Sequence, residues 1–176
     1  MTVRHRISRA GTAALLAVPL AVLLQSCSTP AAPPAPSSVV AGRSSQAASL
    51  SDDDRRALIV KFTAALNAVD PNALAPIVTP NVTWTLPGKN LVAGTAAGVD
   101  GIIARGKIMS EYGLNRQVQH IVFGIQGAAV ETHNTGSHDG RTVDQYVVTS
   151  FAFEGGKISS IDTSVSDVDG VNAYFS

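Results

Sequence analysis

From residue 51 onward, apolar residues recur with a helical period. In SDDDRRALIVKFTAALNAVD, Leu58, Phe62, Ala65 and Val69 fall on one face, with Ile59 and Leu66 beside them. Ser51 suits the N-cap, Asp54 stands in the capping-box position, and the acids of the first turn face the positive end of the helix dipole. Asp70-Pro71 suits a second N-cap and first helical position, with a short helix over residues 73–78 strained or ended by Pro76. NVTWTL, residues 81–86, reads as a strand broken by Pro87-Gly88. Residues 99–112 form a third helix, with Ile102, Ile103, Met109 and Tyr112 on its apolar face.

The pattern then changes. Residues 117–123, 128–135, 143–153 and 157–165 are β-rich runs divided by turn residues, and Gly155-Gly156 suits a tight hairpin. Residues 167–175 close the chain as a short helix. Helices followed by an antiparallel meander indicate an α+β domain over residues 49–176.

The first 48 residues follow a different logic. Arg4, Arg6 and Arg9 precede an uncharged, mostly apolar run over residues 11–24. That run is shorter than the ~20 residues a membrane-spanning helix needs, and its basic start fits a secretory signal over residues 1–26. LQSC, ending at Cys27, resembles the lipobox of bacterial lipoproteins. Cys27 is the only cysteine, so it has no internal disulfide partner, and the resemblance implies that its sulfur carries the lipid. Residues 28–48 are rich in Pro, Ala and Ser and read as a tether. The chain is therefore expected to be exported and anchored to the outer face of the cell membrane, or to be periplasmic, as a lipoprotein. Removing the three signal arginines from thirteen basic residues leaves ten against thirteen acids, a formal charge of −3. That balance gives no electrostatic footprint for nucleic acid.

The wording of the domain is also familiar. KFTAALNAVDPNALAPIVTPNVTWTLPG, LVAGTAAGVDGI and FEGGKISSIDTSVSDVDGVNAYF together resemble the NTF2-like superfamily, especially its SnoaL-like branch. The resemblance implies an NTF2-like cone, a curved antiparallel sheet wrapped around N-terminal helices with an apolar pocket. It does not imply one function, because this fold hosts isomerases, cyclases, epoxide hydrolases, binding proteins and assembly modules.

Two enzymes of the superfamily can be tested on the residues. Ketosteroid isomerases need a tyrosine, a base aspartate and a protonated second aspartate. The matching positions here are Phe62, Leu86 and Thr149, none of which transfers a proton at neutral pH. Limonene-epoxide-hydrolase relatives use an acid–arginine–acid set, whose positions fall on Thr132, Asn134 and Thr163, with Asp162 adjacent. A one-residue register shift turns Asp162 inward, so strand parity decides that case. Polyketide-cyclase relatives rely on a pocket Asp or His pair, and that option stays open.

ETHNTGSHDGR, residues 131–141, is the other candidate for chemistry. It holds two of the four histidines. NTGSHDG reads as a hairpin connection with His138 at its tip, which offers no closed shell for a metal. His133 lies within the strand, and Asp144 or Tyr146 lies opposite; the pair reads either as a general base or as a cross-strand polar contact on the outer face. His120 reads as a strand-surface residue.

Phe62, Leu86, Val147, Phe151 and Phe153 make the expected pocket apolar, Trp84 either stacks on a ligand or packs the core, and Asn134, Thr149 and Thr163 supply hydrogen bonds. No metal or cofactor is expected, and the expected partners are a small apolar ligand, the membrane through Cys27, and a second copy of the chain. Three readings follow. The first is binding of a small apolar or amphipathic molecule with no established catalysis. The second is an isomerase, cyclase or hydratase using His133 with Asp144, or Asp162. The third is a dimeric interaction module of the cell envelope, pairing through the sheet around Tyr146 and Val148.

Overall fold

The computed structural model describes residues 50–176. The signal segment, Cys27 and the tether lie outside the described residues.

Helix α1 (Asp52–Ala68) starts on the expected capping box. The Asp54 amide donates to Ser51 Oγ at 3.1 Å, and the Ser51 amide donates to Asp54 Oδ2 at 3.3 Å. The helix buries Ile59, Phe62, Ala65 and Leu66. Val69, expected on that face, instead ends the helix in the left-handed conformation at φ 52°. Asp70 caps α2 (Pro71–Leu74), its side chain accepting from the Asn72 and Ala73 amides. A 3-10 turn (Ala75–Ile77) follows, so the second helix ends earlier than residue 78. Pro76 is tolerated near the start of that turn, where its missing N–H costs nothing.

Strand β1 (Val78–Leu86) therefore begins three residues before the sequence expectation. It crosses Pro80 through an irregularity in its pairing, which accommodates a residue without an amide donor. The remaining elements are β2 (Gly94–Ala97), α3 (Gly98–Glu111), β3 (Asn115–Phe123), β4 (Gly127–His138), β5 (Arg141–Glu154), β6 (Lys157–Val165) and α4 (Val168–Tyr174). The short β2, GTAA, has no counterpart among the expected strands.

The six strands form one open, curved sheet in the order β2-β1-β6-β5-β4-β3. The β3–β6 meander is antiparallel, as expected. β1 differs: it lies parallel to β6, so the sheet is mixed. Both tight hairpins are two-residue turns with positive φ at each central residue, Asp139-Gly140 between β4 and β5 and Gly155-Gly156 between β5 and β6.

α1 and α3 approach closely at Gly106, where a Cβ would collide with Leu66 Cδ1. α4 covers one end, burying Val171 and Tyr174, and the following Phe175 is buried too. Asn172 Oδ1 ties this end to the β1–β2 loop, accepting from the Lys89 amide at 2.7 Å and from Asn90 Nδ2 at 2.9 Å. The buried apolar cluster runs from Ile59 to Phe175. All of this buried cluster lies within residues 59–175, so residues 50–176 carry the core of the described part of the chain.

Candidate functional site

Strand alternation decides what faces the helices. In the inner rows of the sheet, Arg116 pairs with Asn134 and Asn134 with Gln145. The next row is Val118, Thr132, Val147 and Val165, and the one after it is Ile121, Val130, Thr149 and Thr163. Together with Ile59, Phe62 and Leu66 of α1, Trp84 and Leu86 of β1, Met109 of α3, and Val171 and Phe175 at the C-terminal end, these strands line a cavity. Its volume, counted as the space open to the centre of a water-sized sphere, is about 80 Å³, and all the free space between the lining atoms, open solvent included, is about 780 Å³.

One end of this space is aromatic. Phe62 meets Trp84 edge-on at 6.0 Å and Phe151 edge-on at 5.5 Å. Trp84 Nε1 donates to Thr163 Oγ1 at 2.9 Å, and Thr163 Oγ1 lies 3.1 Å from Thr149 Oγ1. Behind Trp84, the Arg105 guanidinium donates to the Trp84 carbonyl at 2.5 Å and to the Gly94 carbonyl at 2.9 Å. It also sits 5.1 Å from the indole ring centre. Burial lowers the Arg105 pKa to about 10. Arg105 thus holds β1 to β2 and fixes the rear of Trp84.

Every residue assigned to the pocket by sequence in the ligand-contact set lines the cavity: Phe62, Trp84, Leu86, Asn134, Thr149, Phe151 and Thr163. Val147 lines it as well, whereas Phe153 is half-buried and does not. The candidate acid/base residues are placed elsewhere. His133 Nε2 and Asp144 Oδ1 are 2.6 Å apart, but Asp144 is 80% exposed and the pair lies on the outer face of the sheet. Tyr146 pairs directly with His133 and stacks on it at 4.8 Å. The parity of β6 puts Ile161 and Thr163 inside, so Asp162 points outward and is exposed. A His133–Asp144 or Asp162 acid/base group therefore does not face the cavity.

His120 is 75% exposed and contacts Glu131 at 2.6 Å on that outer face. His138 corrects a second expectation. It is the last residue of β4, half-buried against Tyr112 at 4.0 Å between ring centres, and the turn begins only at Asp139. The residues of NTGSH pair with β5 as strand, and Gly136 stands where a Cβ would collide with the Tyr174 hydroxyl.

The sequence expectations missed several lining residues, among them Gln145, Thr132 and the one charged group of the wall, Arg116. Arg116 lies one residue before the expected start of its strand. The β3 bulge near Gln119, between Val118 and His120, also breaks the alternation that would have marked it as inward-facing.

A family model for the SnoaL-like domain matches residues 59–161, more than half of the chain. The chain belongs to the SnoaL-like domain family. Solved structures agree on the fold of this SnoaL-like domain. Bal32a, from a soil-derived mobile gene cassette, superposes with a TM-score of 0.64 at 20% identity, over 70% of this chain and 98% of that one. An NTF2-like protein from Burkholderia xenovorans LB400 gives 0.64 at 21% identity, over 72% and 98%. TerC, co-crystallised with polyporic acid, gives 0.60 at 18% identity, over 70% and 99%. A search of curated proteins returns no match.

Proposed function

We propose that this SnoaL-like domain binds a small apolar or amphipathic molecule, with no established catalysis, while held at the outer face of the cell membrane through a lipid on Cys27. The observation that carries the binding reading is the make-up of the cavity wall. It combines aromatic and aliphatic side chains with Thr132, Asn134, Gln145, Thr149 and Thr163, and with one charged group, Arg116. Such walls are what small-molecule sites use: an apolar body and few orienting polar groups. No carboxylate, imidazole, thiol or amine is among the lining residues, so the wall offers a ligand contacts and orientation but no proton acceptor of ordinary strength. The positions corresponding to an isomerase's proton-transfer groups, Phe62, Leu86 and Thr149, line the cavity and carry none. The fold neighbour TerC, which was crystallised with polyporic acid, agrees with a pocket of this type.

Native mass spectrometry of residues 50–176 tests the reading. A co-purifying small molecule is the expected result. An empty protein that also takes up no apolar probe would sink it. For the anchor, the full chain should partition with membranes and its Cys27→Ser variant should not.

A second reading, self-association through the outer face, has an observation of its own. Val122, Tyr146 and Val148 are 59%, 55% and 42% exposed there. Light scattering at high concentration should then give a dimer, and a monomer rules that pairing out.

A further inference from the structure

Two arginines reach into the interior of this domain, Arg105 buried and Arg116 half-buried, and they differ in how they are satisfied. Arg105 spends its guanidinium on two backbone carbonyls and an indole face. Arg116 faces the cavity and has weaker company. Its Nη2 donates to Asn67 Oδ1, and its Nη1 reaches only Met109 Sδ, at 3.9 Å. Its Nε is buried with no partner. None of the ion pairs among the described residues includes Arg116. Burial alone lowers its pKa, with no neighbouring carboxylate to offset that cost.

The residue paired with Arg116 across the sheet is incomplete in the same way. Asn134 is 8% exposed, lines the cavity, and has a buried Oδ1 with no partner. Four buried side-chain polar atoms lack a partner among the described residues, and two of them are on this one pair of cavity-lining residues. Orphaned buried polar atoms such as Arg116 Nε and Asn134 Oδ1 are costly. The cost is recovered if the missing partners arrive with a ligand. A guanidinium fork is suited to an oxyanion.

We propose that Arg116 is the anchor for an anionic head group, so that the ligand is a small amphiphile with one acidic function and an apolar body against Phe62, Trp84 and Phe151. Asn134 Oδ1 takes a donor on the ligand beside the anionic oxygen, such as a hydroxyl. The proposal rests on the cavity being a binding site, and it narrows the ligand from any apolar molecule to an organic acid.

A matched pair of probes tests it on residues 50–176. 2-Naphthoate and 2-acetonaphthone share a ring system and nearly the same shape, but only the first is charged. Calorimetric titration of the wild-type domain should show 2-naphthoate binding roughly tenfold tighter or more, the range expected for a hydrogen bond to a charged group. Arg116→Met should cancel that preference, bringing the two probes to within about twofold of each other, as expected when the charged donor is lost. Arg116→Gln is the alternative variant if circular dichroism shows the methionine form misfolded. Equal binding of both probes to the wild type overturns the acid-anchor proposal while leaving the cavity a binding site. A preference that survives both substitutions also overturns it. Binding of neither probe removes the binding reading and this proposal with it.

Discussion

Replacing Thr163 by valine keeps the shape of the side chain and removes one oxygen. That oxygen accepts the Trp84 indole N–H at 2.9 Å inside the protein and lies 3.1 Å from the Thr149 hydroxyl. Trp84 is 5% exposed and Thr163 6% exposed, so water does not readily replace the lost acceptor. Leaving a buried donor unpaired costs about 1–3 kcal/mol. The added methyl gains back less than ~1 kcal/mol of apolar burial. A net loss of about 1–2 kcal/mol is expected, seen as a drop of roughly 5 °C in the melting temperature. Urea unfolding followed by far-UV circular dichroism measures it directly. The cause is isolated by a double-mutant cycle with Trp84→Phe, which removes the donor. In that background Thr163→Val should cost less than ~0.5 kcal/mol, giving a coupling energy near 1 kcal/mol. The reasoning fails if the valine variant is as stable as the parent, or if its cost is the same with phenylalanine at position 84.

Three further outcomes follow from other parts of the molecule. Gly136→Ala should destabilise by about 1–3 kcal/mol in the same unfolding assay, because its Cβ would overlap the Tyr174 hydroxyl and lie 3.3 Å from the Gly113 carbonyl. Burial raises the Tyr174 pKa above the ordinary 10.0, with Arg141 acting weakly the other way. The folded state then holds this proton longer than the unfolded state. The associated stability is present below pH 10.0 and lost as pH rises from there through the folded-state pKa, so Tyr174→Phe should flatten the alkaline end of the stability–pH curve. His133→Ala should leave 2-naphthoate affinity unchanged and cost no more than about 0.5 kcal/mol, since the His133–Asp144 contact is on the outer face. A large loss of binding in that variant would mean that the outer face communicates with the cavity.

The elements with local signals were legible in the sequence. The capping box of α1, the Asp70-Pro71 start of α2 and the Gly155-Gly156 turn each depend on residues close together in the chain, and each stands where expected. Part of the cavity lining was also readable, because Thr149, Phe151 and Thr163 follow a period of two along long strands. What was not legible depends on distant partners. β2 is four small residues that form a strand only because β1 lies beside it. The parallel pairing of β1 with β6 leaves no local trace. NTGSH has the composition of a turn, yet Tyr174, nearly forty residues later in the sequence, makes a glycine at position 136 a packing requirement. Arg116 shared that fate at a strand edge beside a bulge.

Because β1 pairs with β6, the order of folding is constrained. Apart from the short β2, the first strand of this domain has only the last strand to pair with, and Tyr174 and Phe175 of the chain's end complete the core. During folding α1 and α3 can form early, since helical contacts are local, but β1 keeps one edge open until β6 docks. The domain therefore cannot commit to its native state by halves. Its sheet is complete only when β6 has docked against β1.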